Sequence, residues 1–326
     1  MLNQVKNISG LFKDKSWEIA LLGVAVLVFI FNSLASPYFL DLWNLSDATF
    51  NFTEKAIIAL PMALLIIGRD IDLSVGSIIA ICSVAMGLVA QAGGGITLIV
   101  LTGMSVGMLA GAVNGFLVTY YAIPSIVVTI GTMSLFRGLS YIILGDGVLK
   151  DYPEGFSFFG QGYVVGALSF ELVFFLVVAL LFYLLLHRTV FGRVVFAIGN
   201  NPTAAFYSGV AVNRYRFLLF VLVGLASGIA SVMLTSRLGS TRPTIALGWE
   251  LSIITMVVLG GVNILGGSGS ILGVVIAVFL MGLVTFGLGL LNVPGIVMSV
   301  VIGMMLIGVI SIPVVLKKYH SRVGAK

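Results

Sequence analysis

From Trp17 to Leu316 the chain is a succession of apolar stretches separated only by short polar or glycine-rich breaks. Each stretch is near the length a helix needs to cross a bilayer, about 20 residues. Hydrophobic residues fill 60% of the 326 positions and charged ones 9%, against about 25% charged in a soluble domain. A water-soluble fold has no way to hide so much apolar surface, whereas lipid accepts it if every backbone polar group is paired internally. A β-barrel would need alternating segments of about ten residues, and none is present. The expected class is all-α: a polytopic membrane protein with about ten transmembrane helices, near 17–36, 53–68, 74–91, 97–119, 124–144, 164–187, 216–236, 250–265, 270–290 and 295–316. No small-residue cleavage pattern follows Ser36, so the first stretch is expected to be a retained span.

Lysine and arginine set the orientation. Lys6, Lys13 and Lys15 precede the first span, Arg188, Arg193, Arg214 and Arg216 lie in 188–216, and Lys317, Lys318, Arg322 and Lys326 end the chain. An even number of spans puts all three segments on the cytoplasmic side, with both termini. The opposite segments hold Asp41, Asp47, Glu54, Asp146, Asp151 and Glu154, balanced only by Lys55 and Lys150. The expected organisation is a cytoplasmic tail over 1–16, one transmembrane domain over 17–316 with a cytoplasmic loop at 188–215, and a second tail over 317–326. Cys82 sits in an apolar run and reads as a core residue. His187 and His320 are flanked by bases with no carboxylate beside them, which argues against a metal site.

A faint internal repeat is visible. "VGSIIAICSVAMGLV" (75–89) echoes "SGSILGVVIAVFLMGLV" (268–284), and a glycine-punctuated break precedes each, "GRDIDLS" and "GGVNILGG". Transporters are often built from two such halves with broken helices at matching places. Gly103, Gly107, Gly111 and Gly115 recur four apart, nearly on one helical face, a spacing that lets helices approach closely.

"GRDIDLSVGS" (68–77) places Arg69, Asp70 and Asp72 between two apolar runs. The segment reads either as a polar turn at the cytoplasmic surface or as a helix break inside the bundle. Arg69 and Asp72 are three apart and suited to pairing. Asp72 is suited to cap a following helix through the amide of Val75.

This stretch, with "VNGFLV" (113–118), "PSIVVTIGTMSLFRGLSYI" (124–142), "GRVVFAIGNNPTAAFYSGVAVNRYR" (192–216), "WELSIITMVVLGGVNILGGSGSILG" (249–273) and "VPGIVMSVVIGMMLIGVI" (293–310), resembles the permease subunits of bacterial ATP-binding-cassette importers for monosaccharides. That group includes the ribose, xylose, rhamnose and autoinducer-2 permeases. Two departures stand out: the group usually has a second glycine where this chain has Arg69, and the 145–163 loop lies where its members differ. The resemblance implies a pore-forming subunit in the bacterial plasma (inner) membrane. Its implied partners are a second permease, identical or homologous, an ATP-hydrolysing subunit inside and a substrate-binding protein outside. No nucleic acid is expected. The chain has no G-x-x-x-x-G-K-[ST] motif, so it is expected to bind no cofactor itself, ATP–Mg residing on the partner.

The loop 188–215 fits a coupling role. Asn201 suits an N-cap, Pro202 the first helical position and Gly209 the stop. Phe206 and Tyr207 are apolar side chains to offer a partner's groove. Thr203, Ala204, Ala205 and Gly209 match the group's coupling pattern, although its glutamate is missing. For the translocation path of a neutral, hydroxyl-rich substrate the candidates are Asp70, Asp72, Asn114, Thr129, Thr132, Ser134, Phe136 and Asn263. Arg137, mid-span, needs a partner, and Asp70 or Asp72 is the expected one. Arg237, Arg242 and Glu250, in the outward segment 235–250, are candidates to meet the binding protein. The rivals are an intramembrane enzyme, for which no nucleophile with a nearby base is present, an ion-coupled carrier relying on Asp70 and Asp72, and an importer permease for nucleosides or branched-chain amino acids.

Overall fold

The computed structural model describes residues 16–323, with side chains through Val309 and at Ser311. The terminal charges Lys6, Lys13, Lys15 and Lys326, and the side chains of Lys317, Lys318, His320 and Arg322, lie outside the described residues. The chain is an all-α polytopic membrane protein. In order, the helices are α1 Ser16–Ala35, α2 Leu42–Ile67, α3 Val75–Gln91, α4 Ile96–Tyr120, α5 Ser125–Leu144 and the short α6 Phe158–Gln161. A hairpin of β1 Tyr163–Val165 and β2 Leu168–Ser169 follows. Then come α7 Phe170–Arg188, α8 Val190–Asn200, α9 Pro202–Tyr207, α10 Val212–Leu238, α11 Trp249–Leu259, α12 Ile271–Leu290 and α13 Gly295–Val323.

Among the described residues, seven helices are long and apolar enough to cross a bilayer: α1, α2, α4, α5, α7, α10 and α12. The expected spans at 74–91 and 250–265 correspond to shorter apolar helices, Val75–Gln91 and Trp249–Leu259, whereas the expected span at 295–316 lies within the 29-residue α13. With 11 residues, α11 reaches only about 16 Å. The expected span at 53–68 is in fact the C-terminal part of a 26-residue helix. Asp41 caps its start, accepting from the amides of Trp43 and Asn44 at 2.9 Å. The expected 164–187 span begins instead with the hairpin, and the 188–215 loop is largely helical, as α8 and α9.

At the centre stands α2. Every side chain from Ala56 to Ile67 is buried, which a hydrophobic-all-round sequence predicts for an enclosed helix. The glycines of α4 face α10 as their spacing anticipated. A Cβ on Gly107 would lie 2.8 Å from the Gly228 backbone, and one on Gly111 would lie 2.9 Å from the Gly224 Cα. The two helices therefore pack backbone against backbone. Peripheral α1 is tied to the core by Trp17 Nε1, which donates to the Leu259 carbonyl at 3.0 Å, and by the Asn32 amide, which donates to the Leu283 carbonyl at 2.8 Å. Its outer side chains, such as Leu27, Phe31 and Leu34, are exposed, as a lipid-facing surface requires.

Candidate functional site

The basic loop resolves into a compact element. Thr189 caps α8, accepting from the Gly192 amide. Asn201 Oδ1 accepts from the Ala204 amide at 3.0 Å and starts α9, with Pro202 in its first turn. Gly209, at φ +86°, follows the last turn, a conformation that glycine adopts without steric cost. Ala205 is buried against Ile198 and Val212 and anchors α9 to the body of the protein. Ala204 and Gly209 are exposed. Phe206 and Tyr207 are 64% and 83% exposed and touch each other edge to face, so α9 presents two aromatic rings away from the bundle.

Segment 68–74 is a break between α2 and α3, and its charges do not pair as expected. Arg69 turns away from Asp72. Its Nε donates to the Gly199 carbonyl at 2.7 Å and its Nη2 to the Asn200 carbonyl at 2.9 Å. These are the last carbonyls of α8, where a cation is favoured. Arg69 adopts φ +73°, at a cost of about 1 kcal/mol or more for a residue with a Cβ. Asp70, 2% exposed, receives both Nε and Nη2 of Arg216 at 2.7 Å. Asp72 is fully buried. It does not cap α3 through Val75: its Oδ1 accepts from the Ser74 amide at 2.8 Å and the Ser74 hydroxyl at 2.6 Å, and its Oδ2 from Asn114 Nδ2 at 3.1 Å.

The second break, 260–270, meets the first. The Gly267 amide donates to the Ile67 carbonyl at 2.9 Å, and Asn200 Nδ2 donates to the Gly267 carbonyl at 3.3 Å. A Cβ on Gly199 would run into the Ile67 carbonyl, and one on Gly266 into the stem of Arg69. The end of α2, the end of α8 and the 266–267 turn thus form one contact.

The other translocation candidates make contacts within the bundle. Asn114 joins Asp72 and Ser74, while Thr129 Oγ1 donates to the Ser125 carbonyl at 2.9 Å. Thr132 is buried and Phe136 packs with Ile78, Cys82 and Ala110. The Ser134 hydroxyl donates to its own helix, and Asn263 Oδ1 accepts from the Leu265 amide within the second break. Arg137 has neither Asp70 nor Asp72 as partner. It donates to the carbonyls of Pro243, Ile245 and Gly76 at 2.5, 2.8 and 3.0 Å. It thereby draws the 239–248 segment, expected outside, into the bundle. A Cβ on Gly76 would lie 2.8 Å from a Glu250 carboxylate oxygen, so Glu250 lies inside the bundle as well. Of the three residues proposed to face a binding protein, Arg242 alone is exposed.

One constellation escaped the sequence reading. Glu54, expected in an outer loop, is 0% exposed on α2 and takes a two-point contact from Arg237 at 2.8 and 3.0 Å. Glu171, also 0% exposed, lies near enough to act electrostatically on the pair, and neither of its carboxyl oxygens has a hydrogen-bond partner among the described residues. Beside them a cavity of about 600 Å³ opens between α2, α11, α12 and α13, lined by Asn51, Lys55, Trp249, Ser252, Thr285 and Ser299 among others. The Lys55 ammonium sits 4.8 Å from the centre of the Trp249 ring, a cation–π contact. An aromatic face, an amide and hydroxyls around a space of this size suit a small polar ligand. On the outer surface, Tyr163 donates to Asp47, and that hydrogen bond, with burial adding to it, pushes the phenol up to about 12.

Comparison with known proteins bears on the whole of this architecture. A family model described as "Branched-chain amino acid transport system / permease component" matches residues 44–310, which include both breaks, α9 and the cavity. The autoinducer 2 import system permease protein LsrD of Escherichia coli K12 is 39% identical over 277 residues, 83% of this chain and 84% of its own. LsrD of Yersinia enterocolitica is 39% identical over 284 residues, 85% of this chain and 86% of its own. No solved structure matches.

Proposed function

The chain belongs to the branched-chain amino acid transport system permease family, and from that premise we propose that it forms the pore of an ATP-driven importer for a small sugar-like substrate. The class comprises pentoses, deoxyhexoses such as rhamnose, and autoinducer-2. The similarity to autoinducer-2 import permeases over four fifths of the chain supports this class over branched-chain amino acids. The protein works in the bacterial plasma (inner) membrane with both termini in the cytoplasm. It crosses ten times, the chain completing the α11 pass with the non-helical 239–248 segment. The two halves carry glycine-punctuated breaks at 68–74 and 260–270, which meet where the Gly267 amide donates to the Ile67 carbonyl.

The single observation that carries the mechanism is α9: a short helix, capped at both ends, that buries Ala205 and projects Phe206 and Tyr207. A rigid helix with two exposed rings is the form a groove on a partner takes up. That partner is an ATPase subunit. ATP–Mg resides there, and this chain binds no cofactor. Nucleotide binding favours one arrangement of the ATPase, and the permease follows because the two arrangements differ in affinity for nucleotide. A binding protein delivers substrate from outside, where the cavity beside Trp249 and Lys55 receives it. A second permease, identical or homologous, completes the path.

The test is reconstitution of the permease with its ATPase and binding protein in proteoliposomes. Uptake is expected only with all components and ATP. Tyr207→Asp is expected to abolish uptake and the stimulation of ATP hydrolysis while the permease still purifies as a monodisperse species. Uptake by the permease alone, or normal uptake by Tyr207→Asp, overturns the proposal.

A further inference from the structure

Two consecutive residues of the first break hold the two ends of the coupling element. Arg69 binds the carbonyls of Gly199 and Asn200, immediately before α9. Asp70 binds Arg216 in the first turns of α10, shortly after α9. The hydrogen bonds are charge-assisted, and the Asp70–Arg216 pair is bidentate, the geometry that fixes orientation as well as distance. The same segment is tied onward into the membrane. Asp72 and Ser74 bind Asn114 of α4, the Ile71 amide donates to the Ser125 hydroxyl of α5 at 3.4 Å, and Arg137 of α5 holds the Gly76 carbonyl.

The backbone adds an independent indication. Arg69 keeps φ +73°, where glycine is the residue that fits without strain. A strained non-glycine residue persists where the surrounding structure over-determines it and is a pointer to function. Here the side chain that carries the strain is the one that reaches α8. The space around it leaves no slack: Gly266 lies against the Arg69 stem and Gly199 against the Ile67 carbonyl.

We propose that Arg69 and Asp70 form a two-point clamp that transmits displacement of α9 to the break and thence to α3, α4 and α5. This rests on the assignment of α9 as the ATPase contact. Arg69 is a positioning residue, since its guanidinium acts through the carbonyls at the end of α8. Without the clamp, α9 would move at its own end of the bundle while the break stayed in place.

The experiment uses the permease–ATPase complex in lipid nanodiscs and compares hydrogen exchange before and after trapping the ATPase with ATP and vanadate. In the wild type, exchange is expected to change together in 200–216 and in 68–76. Arg69→Gly removes the guanidinium and relieves the backbone strain. It is expected to melt at or above the wild-type temperature, to keep the response in 200–216, and to lose about fivefold of the response in 68–76, the factor that about 1 kcal/mol of coupling represents. Arg69→Lys, which retains one donor group, is expected to restore part of that response. Asp70→Asn is expected to weaken it from the other side. A full response at 68–76 in Arg69→Gly overturns the clamp, whereas absence of any response at 200–216 in the wild type overturns the assignment of α9 and the clamp with it. If Arg69→Gly melts below the wild type and Arg69→Lys restores stability without restoring the response, the residue is merely structural.

Discussion

The α4–α10 contact allows a stability change to be worked out from backbone geometry. Replacing Gly107 by Ala places a Cβ 2.8 Å from both the nitrogen and Cα of Gly228, with the Gly224 carbonyl nearer still. Those neighbours are backbone atoms, and no rotamer change moves them aside. The helices must separate by several tenths of an ångström across several turns. Overpacking a close contact costs about 1–3 kcal/mol, and a contact of this kind belongs at the upper end. Against it stands the gain of about 1 kcal/mol when alanine replaces glycine within a helix. The net expectation is a loss of about 2 kcal/mol, which in a chain of this size lowers the melting temperature by about 3 °C. Gly131 on α5 is the control: nothing lies within 4 Å of a Cβ built there, so Gly131→Ala gains the helix term alone and melts at or slightly above the wild type. Because Gly107 and Gly224 share one contact, Gly107→Ala/Gly224→Ala is expected to cost less than the sum of the single changes. Detergent-solubilised protein, heated and read by size-exclusion fluorescence, measures all four. If Gly107→Ala and Gly131→Ala melt alike, the helices do not meet through these glycines and the reasoning fails.

The buried pair of α2 and α10 yields a second expectation. Glu54→Gln leaves the Arg237 guanidinium without its carboxylate, and breaking such a pair costs about 3–5 kcal/mol when fully buried. Arg237 keeps 23% of its side-chain exposure, so the lower end applies, and Glu54→Gln/Arg237→Met is expected to recover part of the loss in the same melting assay. Asn201→Ala removes the α9 cap at a cost of about 1 kcal/mol. The Ala204 amide is expected to exchange faster and uptake to fall, while global melting stays put. An unchanged exchange rate there would mean that Asn201 does not cap. Trp249→Ala is expected to raise the substrate concentration for half-maximal uptake with basal ATP hydrolysis unchanged, and no change in that concentration would remove the cavity from the path. On the outer surface, Tyr163 donates to Asp47 and its phenol is raised to about 12. A raised folded-state value stabilises the fold below the unfolded value of about 10 and ceases to do so as pH climbs through about 12. Absorbance titration is expected to show a late phenol that Asp47→Asn brings down, and late titration left unchanged by Asp47→Asn would contradict the contact.

How much of this the sequence carried depended on how far each residue's partner lies along the chain. The α9 caps were legible because Asn201, Pro202 and Gly209 act on backbone within a few residues of themselves. The α4 face was legible because a four-residue spacing is a property of one helix. Glu54 was misplaced because its charge was read against its neighbours in sequence, whereas its partner is 183 residues away. The expected carboxylate partner of Arg137 is replaced by backbone: an arginine satisfied by three backbone carbonyls needs no carboxylate, and carbonyls leave no mark in a sequence. Arg69 was visible as a departure from the glycine usual in resembling permeases, yet its partners are carbonyls 130 and 131 residues away. Its role therefore emerged only when the ends of α2 and α8 were seen to touch. Seven residues that look like a turn between two spans carry the contacts to α4, α5, α8 and α10. On the proposed coupling, a change at Arg69 or Asp70 is expected to alter both ends of the clamp, whereas a change at Tyr207 is expected to act only through the contact that α9 makes with its partner.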